Sequence, residues 1–130
     1  MGIDEGVDTT GNSTLMMNGA VKPLAIWVYR DSIDFRKQMN GCIEIVMDEM
    51  KRQPNDGCMY VFRNRNRDKL KVLVWDRNGF WMLYKRLEKG RFDFSSVREG
   101  CLEITMDDYD MLISGMPILR LGKPRKTEFR

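Results

Sequence analysis

The sequence predicts an α+β fold, in which an antiparallel sheet of about five strands carries one long amphipathic helix on a face and a short helix near the C-terminus. Two patterns predict this class. Short runs of β-branched and aromatic residues, bounded by turn residues, indicate strands. Residues 34–52 instead have apolar side chains at spacings of three and four, which indicates an amphipathic helix. Packing that helix on the sheet buries both apolar surfaces, so we expect one covered face.

The first predicted strand and the long helix make up the N-terminal half of the domain. Residues 24–29 are aliphatic, aromatic and β-branched, as is typical of a strand. In the helix that follows, Asp31 or Ser32 can serve as the N-cap, and Asp34 suits the positive end of the helix dipole. Pro54 ends the helix because it disfavours helical geometry in the residue before it.

Short strands and a second helix account for the rest. The strands are predicted at residues 59–62, 70–75, 80–87, 91–94 and 101–105. The first three form an antiparallel meander, and Asn78-Gly79 is the turn signal between the last two of these because both residues tolerate positive φ. A helix over residues 107–114 begins after Thr105 as N-cap and ends at Gly115.

The chain of 130 residues is expected to form one domain. Its composition predicts a disordered extension over residues 1–22, a single α+β domain over residues 23–117 and a basic flexible tail over residues 118–130. No run approaches the roughly 18 apolar residues of a membrane helix. The N-terminus has acids where a secretory signal has cations, so we expect a cytoplasmic protein without a membrane partner.

Histidine and cysteine usage excludes several kinds of chemistry. The sequence contains no histidine, which removes histidine general bases and nearly every zinc site. The three cysteines, Cys42, Cys58 and Cys101, are far apart and odd in number, so they suggest neither a disulfide framework nor a metal site. We expect no cofactor and no bound metal.

Positive charge is concentrated in one segment. The net charge is only +3, but residues 63–91 contain ten cations and three acids, a local balance of +7 that leaves −4 for the remainder. Such asymmetry is typical of a protein with a polyanionic partner, although a run of charge is also compatible with a solvated face.

Large aromatic residues alternate with these cations along the predicted meander. Trp75, Trp81 and Tyr84 are candidates for stacking on exposed bases, while neighbouring cations meet the phosphates. Duplex DNA is the alternative ligand, held by the Arg63–Arg67 loop. The same three aromatic side chains are also compatible with a role in the protein core.

An ordered series of motifs resembles a known family. It consists of Asp34-Phe35-Arg36-Lys37, Tyr60-Val61-Phe62-Arg63-Asn64-Arg65, Lys71-Val72-Leu73, Trp75-Asp76, Gly79 and Tyr84-Lys85-Arg86-Leu87-Glu88-Lys89-Gly90-Arg91-Phe92. Over residues 24 to about 116 the chain is similar to the small TnpB-type accessory proteins of the insertion-sequence-sixty-six family of bacterial transposable elements. Two positions depart from the family pattern: Gln38 stands where a glycine is usual, and the proline expected around Ser95 is missing.

The resemblance implies participation in transposition, beside a separate element-encoded transposase that performs strand transfer. Our first hypothesis is a non-catalytic accessory factor that binds DNA, with the element ends as the expected target, and that works with the transposase. The predicted phosphate contacts are Arg63, Arg65, Arg67, Lys69, Lys71, Lys85, Arg86, Lys89 and Arg91, with a second contact from Arg36 and Lys37.

Two other functions are compatible with the same residues. The basic and aromatic surface could dock the transposase directly, because protein interfaces also favour aromatic residues and arginine. Alternatively, the protein could be a nuclease. Asp107, Asp108 and Asp110 would then hold divalent cations, or Tyr60 or Tyr84 would act as general acid or base. The position of the aspartates at a helix start already has a capping and dipole explanation.

Overall fold

The computed structural model describes residues 23–118, so the predicted extension over residues 1–22 and the tail beyond Ile118 lie outside the described residues. Five strands and two helices are present: β1 (Ile26–Ser32), α1 (Met39–Asp48), β2 (Met59–Arg63), β3 (Lys69–Asp76), β4 (Gly79–Arg86), β5 (Cys101–Ile104) and α2 (Met106–Ile113). The α+β class and the five strands are confirmed. The predicted strand at residues 91–94 is irregular chain instead.

The sheet is mixed, with the strand order β4-β3-β2-β1-β5. Neighbouring strands β1 and β2 are parallel, whereas the other three pairs are antiparallel. The prediction of an antiparallel sheet is therefore wrong for this central pair. Parallel neighbours need a crossover connection. The segment that contains α1 provides it, because it returns the chain to the end of the sheet at which β1 begins.

Both faces of the sheet are covered, which corrects the expectation of one covered face. On the face here called the α1 face, Cys42 and Val46 of α1 pack against Tyr60, Phe62 and Leu73. The opposite α2 face is covered by α2 and by the chain between β4 and β5. Its buried residues include Val61, Leu70, Val72, Phe92, Phe94, Val97, Tyr109, Leu112 and Ile118.

Helix α1 has ten residues and is shorter than predicted. The carboxylate of Asp34 accepts a hydrogen bond from the backbone N–H of Arg36 at 2.9 Å, which favours a local turn over the first helical turn. Asp31 and Ser32 do not cap the helix. Gln38 is the N-cap residue and makes no capping hydrogen bond through its side chain. At the other end, Lys51 has a φ of 58°, which is incompatible with a continuing helix.

A close contact explains the glycine within α1. A Cβ atom at Gly41 would lie 2.9 Å from the Cβ of Lys37, in the turn before the helix. Any larger residue would push this turn away from the helix. This close approach favours glycine at this position, although glycine costs a helix roughly 1 kcal/mol.

The start of α2 is confirmed as predicted. The Thr105 hydroxyl accepts a hydrogen bond from the backbone N–H of Asp108 at 3.1 Å, and the Asp108 carboxylate accepts one from the N–H of Thr105 at 3.5 Å. This reciprocal capping box satisfies amide groups that the first turn leaves without helical partners. Asp107 and Asp108 lie in the first turn.

The β3–β4 hairpin forms where the sequence predicts it, but with a different turn. Asp76 pairs with Gly79, so the two loop residues are Arg77 and Asn78. Arg77 has the positive φ, at 54°, whereas Gly79 begins β4.

Among residues 23–118, no helix is long and apolar enough to cross a membrane.

Candidate nucleic-acid interface

The predicted phosphate contacts do not share one surface. Lys71 lies on the α1 face, where its Nζ donates to the carbonyl oxygens of Phe35 and Lys37 at 3.0 and 2.8 Å. Lys85 lies on the α2 face, where its Nζ donates to the carbonyl oxygen of Ile113 at 2.7 Å, at the C-terminal end of α2. Cations stabilise that end of a helix. Both lysines therefore have structural partners on opposite sides of the sheet.

Replacing Lys71 by methionine is expected to destabilise the fold by about 1–3 kcal/mol, because two backbone carbonyls of the turn before α1 lose their charged donor. Lys69→Met is the matched control, since it removes the same charge from the same strand and face. Urea denaturation of both variants measures the difference. Equal stability of the two would show that Lys71 has no structural role and is available for ligand binding.

Two other predicted contacts are already paired with acids. The Arg36 guanidinium forms a two-pronged ion pair with Asp34, with its shortest contact at 2.6 Å. This hydrogen bond lowers the pKa of Asp34 to about 2. Arg86 pairs with Glu88 at 2.9 Å, and Lys69 lies opposite Arg86 in the β3–β4 pairing. Lys37 lies in the exposed turn beside Arg36.

Four arginines, however, line a single concavity. Arg30, Arg63, Arg67 and Arg98, together with Phe94, Ser95 and Val97, surround a cleft of about 460 Å³ on the α2 face. We call this feature the arginine cleft. Buried Phe94 and Val97 belong to the core beneath it. The cleft thus combines an apolar base with a lining of guanidinium groups.

Parallel pairing of β1 and β2 brings Arg30 and Arg63 together, because the carboxyl ends of parallel strands lie at the same end of a sheet. The register shifts between Val28 and Ser32, so β1 bulges beside β2. Within this bulge, the carbonyl oxygen of Arg30 accepts a hydrogen bond from Nε of Arg63 at 2.8 Å. Bulges commonly redirect side chains next to functional sites. Here the bulge fixes Arg63 at the cleft.

A tight turn between β2 and β3 positions Arg67. The Asn64 side chain accepts hydrogen bonds from the backbone N–H groups of Asp68 and Lys69 at 3.1 and 3.0 Å. Arg67 itself has a φ of 60°. Its carbonyl oxygen accepts a hydrogen bond from the N–H of Phe92 at 2.6 Å, which holds this turn against the chain that follows β4.

The cleft is electrostatically unbalanced. Burial lowers the pKa of Arg63, and the neighbouring charges of Arg67 and Arg30 lower it further, against an opposing effect of Asp31. Of the four arginines, Arg30 forms an ion pair, with Asp31 at 3.0 Å. Within residues 23–118, Arg63, Arg67 and Arg98 form no ion pair. An anion in the cleft would therefore relieve repulsion among like charges.

Three further predicted cations lie next to the cleft. Arg65 is exposed in the turn between β2 and β3, and Lys89 and Arg91 are exposed in the chain after β4. Hydrogen bonds from Leu87 to Asp68 and from Phe92 to Arg67 join the two segments. The structure thus brings five of the predicted contacts, Arg63, Arg65, Arg67, Lys89 and Arg91, to one end of the sheet.

The three candidates for stacking lie apart from this end. Trp75 packs edge-on against Phe80, with ring centroids 5.0 Å apart. The Trp81 indole N–H donates to Asp76 at 3.0 Å, and its side chain is 45% exposed. Tyr84 is 56% exposed and lies on the opposite face from Trp81. No single nucleotide could stack on both exposed rings.

Arg30 and Arg98 are the cleft residues that sequence reasoning missed. Arg30 ends an apolar run and has a sequence neighbour, Asp31, that neutralises it locally, so it lies outside the charged segment. A prediction that β1 and β2 pair in parallel would have placed Arg30 beside Arg63. Arg98 follows an irregular segment, and no sequence pattern indicated its position.

The residues proposed for the nuclease alternative lie on three different elements: the three aspartates on α2, Tyr60 on β2 and Tyr84 on β4. Among residues 23–118, no group of three or more acidic or cysteine side chains could hold a metal ion. The Tyr60 hydroxyl donates to Asp56 at 2.7 Å. Burial and this hydrogen bond raise the pKa of Tyr60, which makes the phenol a poorer proton donor.

Fold and cleft together define a small α+β protein with an arginine-lined cleft on one face of its sheet. A family model described as IS66 Orf2 like protein matches residues 24–123. The chain belongs to this family of insertion-sequence proteins, which indicates an accessory role in transposition and confirms the resemblance found in the sequence.

Two curated relatives come from Sinorhizobium fredii. The protein is 32% identical over 107 residues to uncharacterized protein y4jC, an alignment that covers 82% of this chain and 92% of the relative. It is also 32% identical over 91 residues to uncharacterized protein y4hO, with 70% of this chain and 79% of the relative covered. No solved structure matches at a significant level.

Proposed function

We propose that this protein is a non-catalytic transposition accessory factor that binds DNA through the arginine cleft and the adjoining exposed cations. The observation that carries the proposal is the meeting of four arginines in one cleft, three of them without an ion pair to a described acid. Family membership supplies the transposition context. The element ends are the proposed target, and the element-encoded transposase is the proposed partner.

Arginine chemistry favours a phosphate ligand. The planar guanidinium presents donors that match two phosphate oxygens at once, and its hydrogen bonds to an anion are stronger than neutral ones. Arg65, Lys89 and Arg91 extend the positive surface beyond the cleft. A duplex that places one phosphate in the cleft can therefore meet these cations with neighbouring phosphates.

Replacing both Arg67 and Arg98 by glutamine is expected to weaken binding to duplex DNA by about tenfold or more at moderate salt. Each lost phosphate contact removes about 0.9 from the slope of log K against log salt, so the double variant should have a slope shallower by about 1.8. Fluorescence anisotropy titrations at several salt concentrations measure both quantities. These arginines are chosen because their side chains make no ion pair with a described acid.

Arg77→Gln is the matched charge control. Arg77 is exposed in the β3–β4 turn and already pairs with Asp76, so this variant should change the slope little. The control removes one positive charge and the double variant removes two. A change of slope in the control half as large as that in the double variant would therefore contradict the proposal, because binding would then follow net charge and not the cleft. If only Arg36→Gln weakened binding to duplex DNA, the phosphate contact would instead lie at the turn before α1.

A second candidate function is docking of the transposase without direct DNA contact. Strand β4 lies at the edge of the sheet and exposes Trp81 and Tyr84. An edge strand offers unpaired backbone groups to another chain, and exposed aromatic rings are common anchors of protein interfaces. A complex with the transposase that survives nuclease digestion and tolerates the Arg67→Gln, Arg98→Gln change would favour this function.

A further inference from the structure

We propose that the arginine cleft is a binding site for the terminal phosphate of a DNA strand, a phosphomonoester, in preference to an internal phosphodiester. This inference rests on the proposed function, because it assumes that the cleft contacts DNA. It adds the chemical group that the cleft recognises and the part of the DNA molecule that carries it.

Charge balance favours a dianion. The cleft is lined by four guanidinium groups, and the described acids that interact with them are Asp31, paired with Arg30, and Asp93, whose carboxylate lies within the electrostatic reach of Arg67. The Asp93 carboxylate is further engaged by Ser95, which donates through its N–H at 2.9 Å and its hydroxyl at 2.6 Å. Counted over these four arginines and two aspartates, the charge is 4 − 2 = +2. A terminal phosphate carries about −1.5 to −2 at pH 7, whereas an internal phosphodiester carries a single charge.

Arg63 is held so that part of its guanidinium is left for a ligand. Nε donates to the carbonyl oxygen of Arg30 at 2.8 Å, and Nη1 donates to that of Asn64 at 3.3 Å. The guanidinium carbon lies 5.3 Å from the centroid of the Phe94 ring. Within the described part of the chain, no hydrogen bond uses Nη2. A positioned donor of this kind loses little conformational entropy on binding.

The cleft is open to solvent and has room for the end of a DNA strand. The volume of about 460 Å³ is within the range of roughly 300–1,000 Å³ that is usual for small-ligand pockets. Phe94 and Val97 form part of its lining and are almost fully buried, which gives the cleft an apolar base. A terminal phosphate has three unesterified oxygens and an internal phosphate has two, so the terminal group can accept hydrogen bonds from more of the guanidinium groups that line the cleft.

Duplex oligonucleotides that differ only at their ends test this inference. One has 5′-phosphates, a second has 5′-hydroxyls, a third has 3′-phosphates, and a fourth has both ends closed by hairpin loops. We expect the better of the two phosphorylated duplexes to bind about tenfold more tightly than the hydroxyl and closed duplexes, as one additional charge-assisted contact predicts. Arg98→Gln should reduce this ratio to near one, whereas Arg65→Gln, outside the cleft, should weaken all duplexes and keep the ratio.

The outcomes separate this inference from the proposed function. Equal affinity for all four duplexes, together with a loss on the Arg67→Gln, Arg98→Gln variant, would overturn the terminal-phosphate site and leave DNA binding intact. Absence of binding to every duplex would overturn both. Inorganic phosphate should compete with the phosphorylated duplex at millimolar concentration. A mononucleotide that binds as tightly as the phosphorylated duplex would also overturn the inference, because the ligand would then be a free phosphomonoester.

Discussion

Leu70→Ala and Leu73→Ala are each expected to destabilise the protein by about 2–5 kcal/mol, the usual range for truncating a buried leucine. The two residues lie three positions apart on β3 and face opposite sides of the sheet. Leu70 is 1% exposed among the α2-face residues, and Leu73 is fully buried against the α1 face. Similar losses would show that both faces form dense cores.

Leu24→Ala is the matched control for this pair. Leu24 is 80% exposed, so the same substitution there should change the free energy of unfolding by no more than about 0.5 kcal/mol. Urea denaturation followed by tryptophan fluorescence provides all three values. A small loss at Leu70 together with a large loss at Leu73 would contradict the structure, since it would mean that α2 and the chain after β4 do not cover their face.

Asp56→Ala is expected to cost about 2–3 kcal/mol at pH 7, because one carboxylate serves three donors. It accepts hydrogen bonds from the Tyr60 hydroxyl at 2.7 Å and from the Cys58 N–H at 2.9 Å, and it pairs with Arg52 at 3.3 Å. The buried hydroxyl and amide would lose a partner, at about 1–3 kcal/mol each before any relaxation. The Arg52 side chain is one-third exposed, so water solvates its charge and its loss adds little.

The effect of Asp56→Ala should depend on pH. Burial alone would raise the pKa of Asp56, but the hydrogen bonds from Tyr60 and Cys58 and the charge of Arg52 lower it below the ordinary value of 3.8. The unfolded chain therefore takes up this proton at a higher pH than the folded protein does. The stabilisation that the Asp56 carboxylate provides is complete well above pH 3.8. It is lost as the pH falls through the lower pKa that Asp56 has in the folded protein.

Denaturation of wild type and variant between pH 7 and pH 2.5 measures this dependence. The difference in the free energy of unfolding should be constant down to about pH 5 and should shrink at lower pH. Asn55→Ala, at the exposed neighbouring position, is the control and should show neither a large loss nor a pH dependence. A difference that grows on acidification would refute the assignment of Asp56 as the charged acceptor of this network.

The arginine cleft changes how the basic segment is interpreted. A run of ten cations in sequence suggested one continuous strip, but Lys71 and Lys85 each donate to backbone carbonyls on opposite faces. The carboxyl end of β2 and the turns beside it carry five of the predicted contacts, Arg63, Arg65, Arg67, Lys89 and Arg91. For a member of the IS66 Orf2-like family, this end of the sheet is the proposed meeting place of protein and DNA.

Patterns within short segments determined much of the fold. Runs of β-branched and aromatic residues between turn residues predicted β1 to β5 to within a few residues, and Thr105 predicted the start of α2. Both signals are local, because strand propensity and helix capping depend on neighbours in the chain. The ends of α1 were not predicted, since the Asp34 turn and the positive φ of Lys51 compete with a helical pattern that itself continues. The hairpin turn differed by one position because strand register, and not turn propensity alone, selects its residues.

The sequence by itself determined the fold class, the family and the excess of cations between residues 63 and 91. Only the tertiary structure decided which cations meet, because strand pairing is a long-range choice that no local pattern records. The parallel β1–β2 pair placed Arg30 beside Arg63, and the alternating pleat of β3 and β4 sent Lys71 and Lys85 to opposite faces. The sequence gives the number and order of the charges, but the attraction of an anion depends on the distances between those charges in the folded protein.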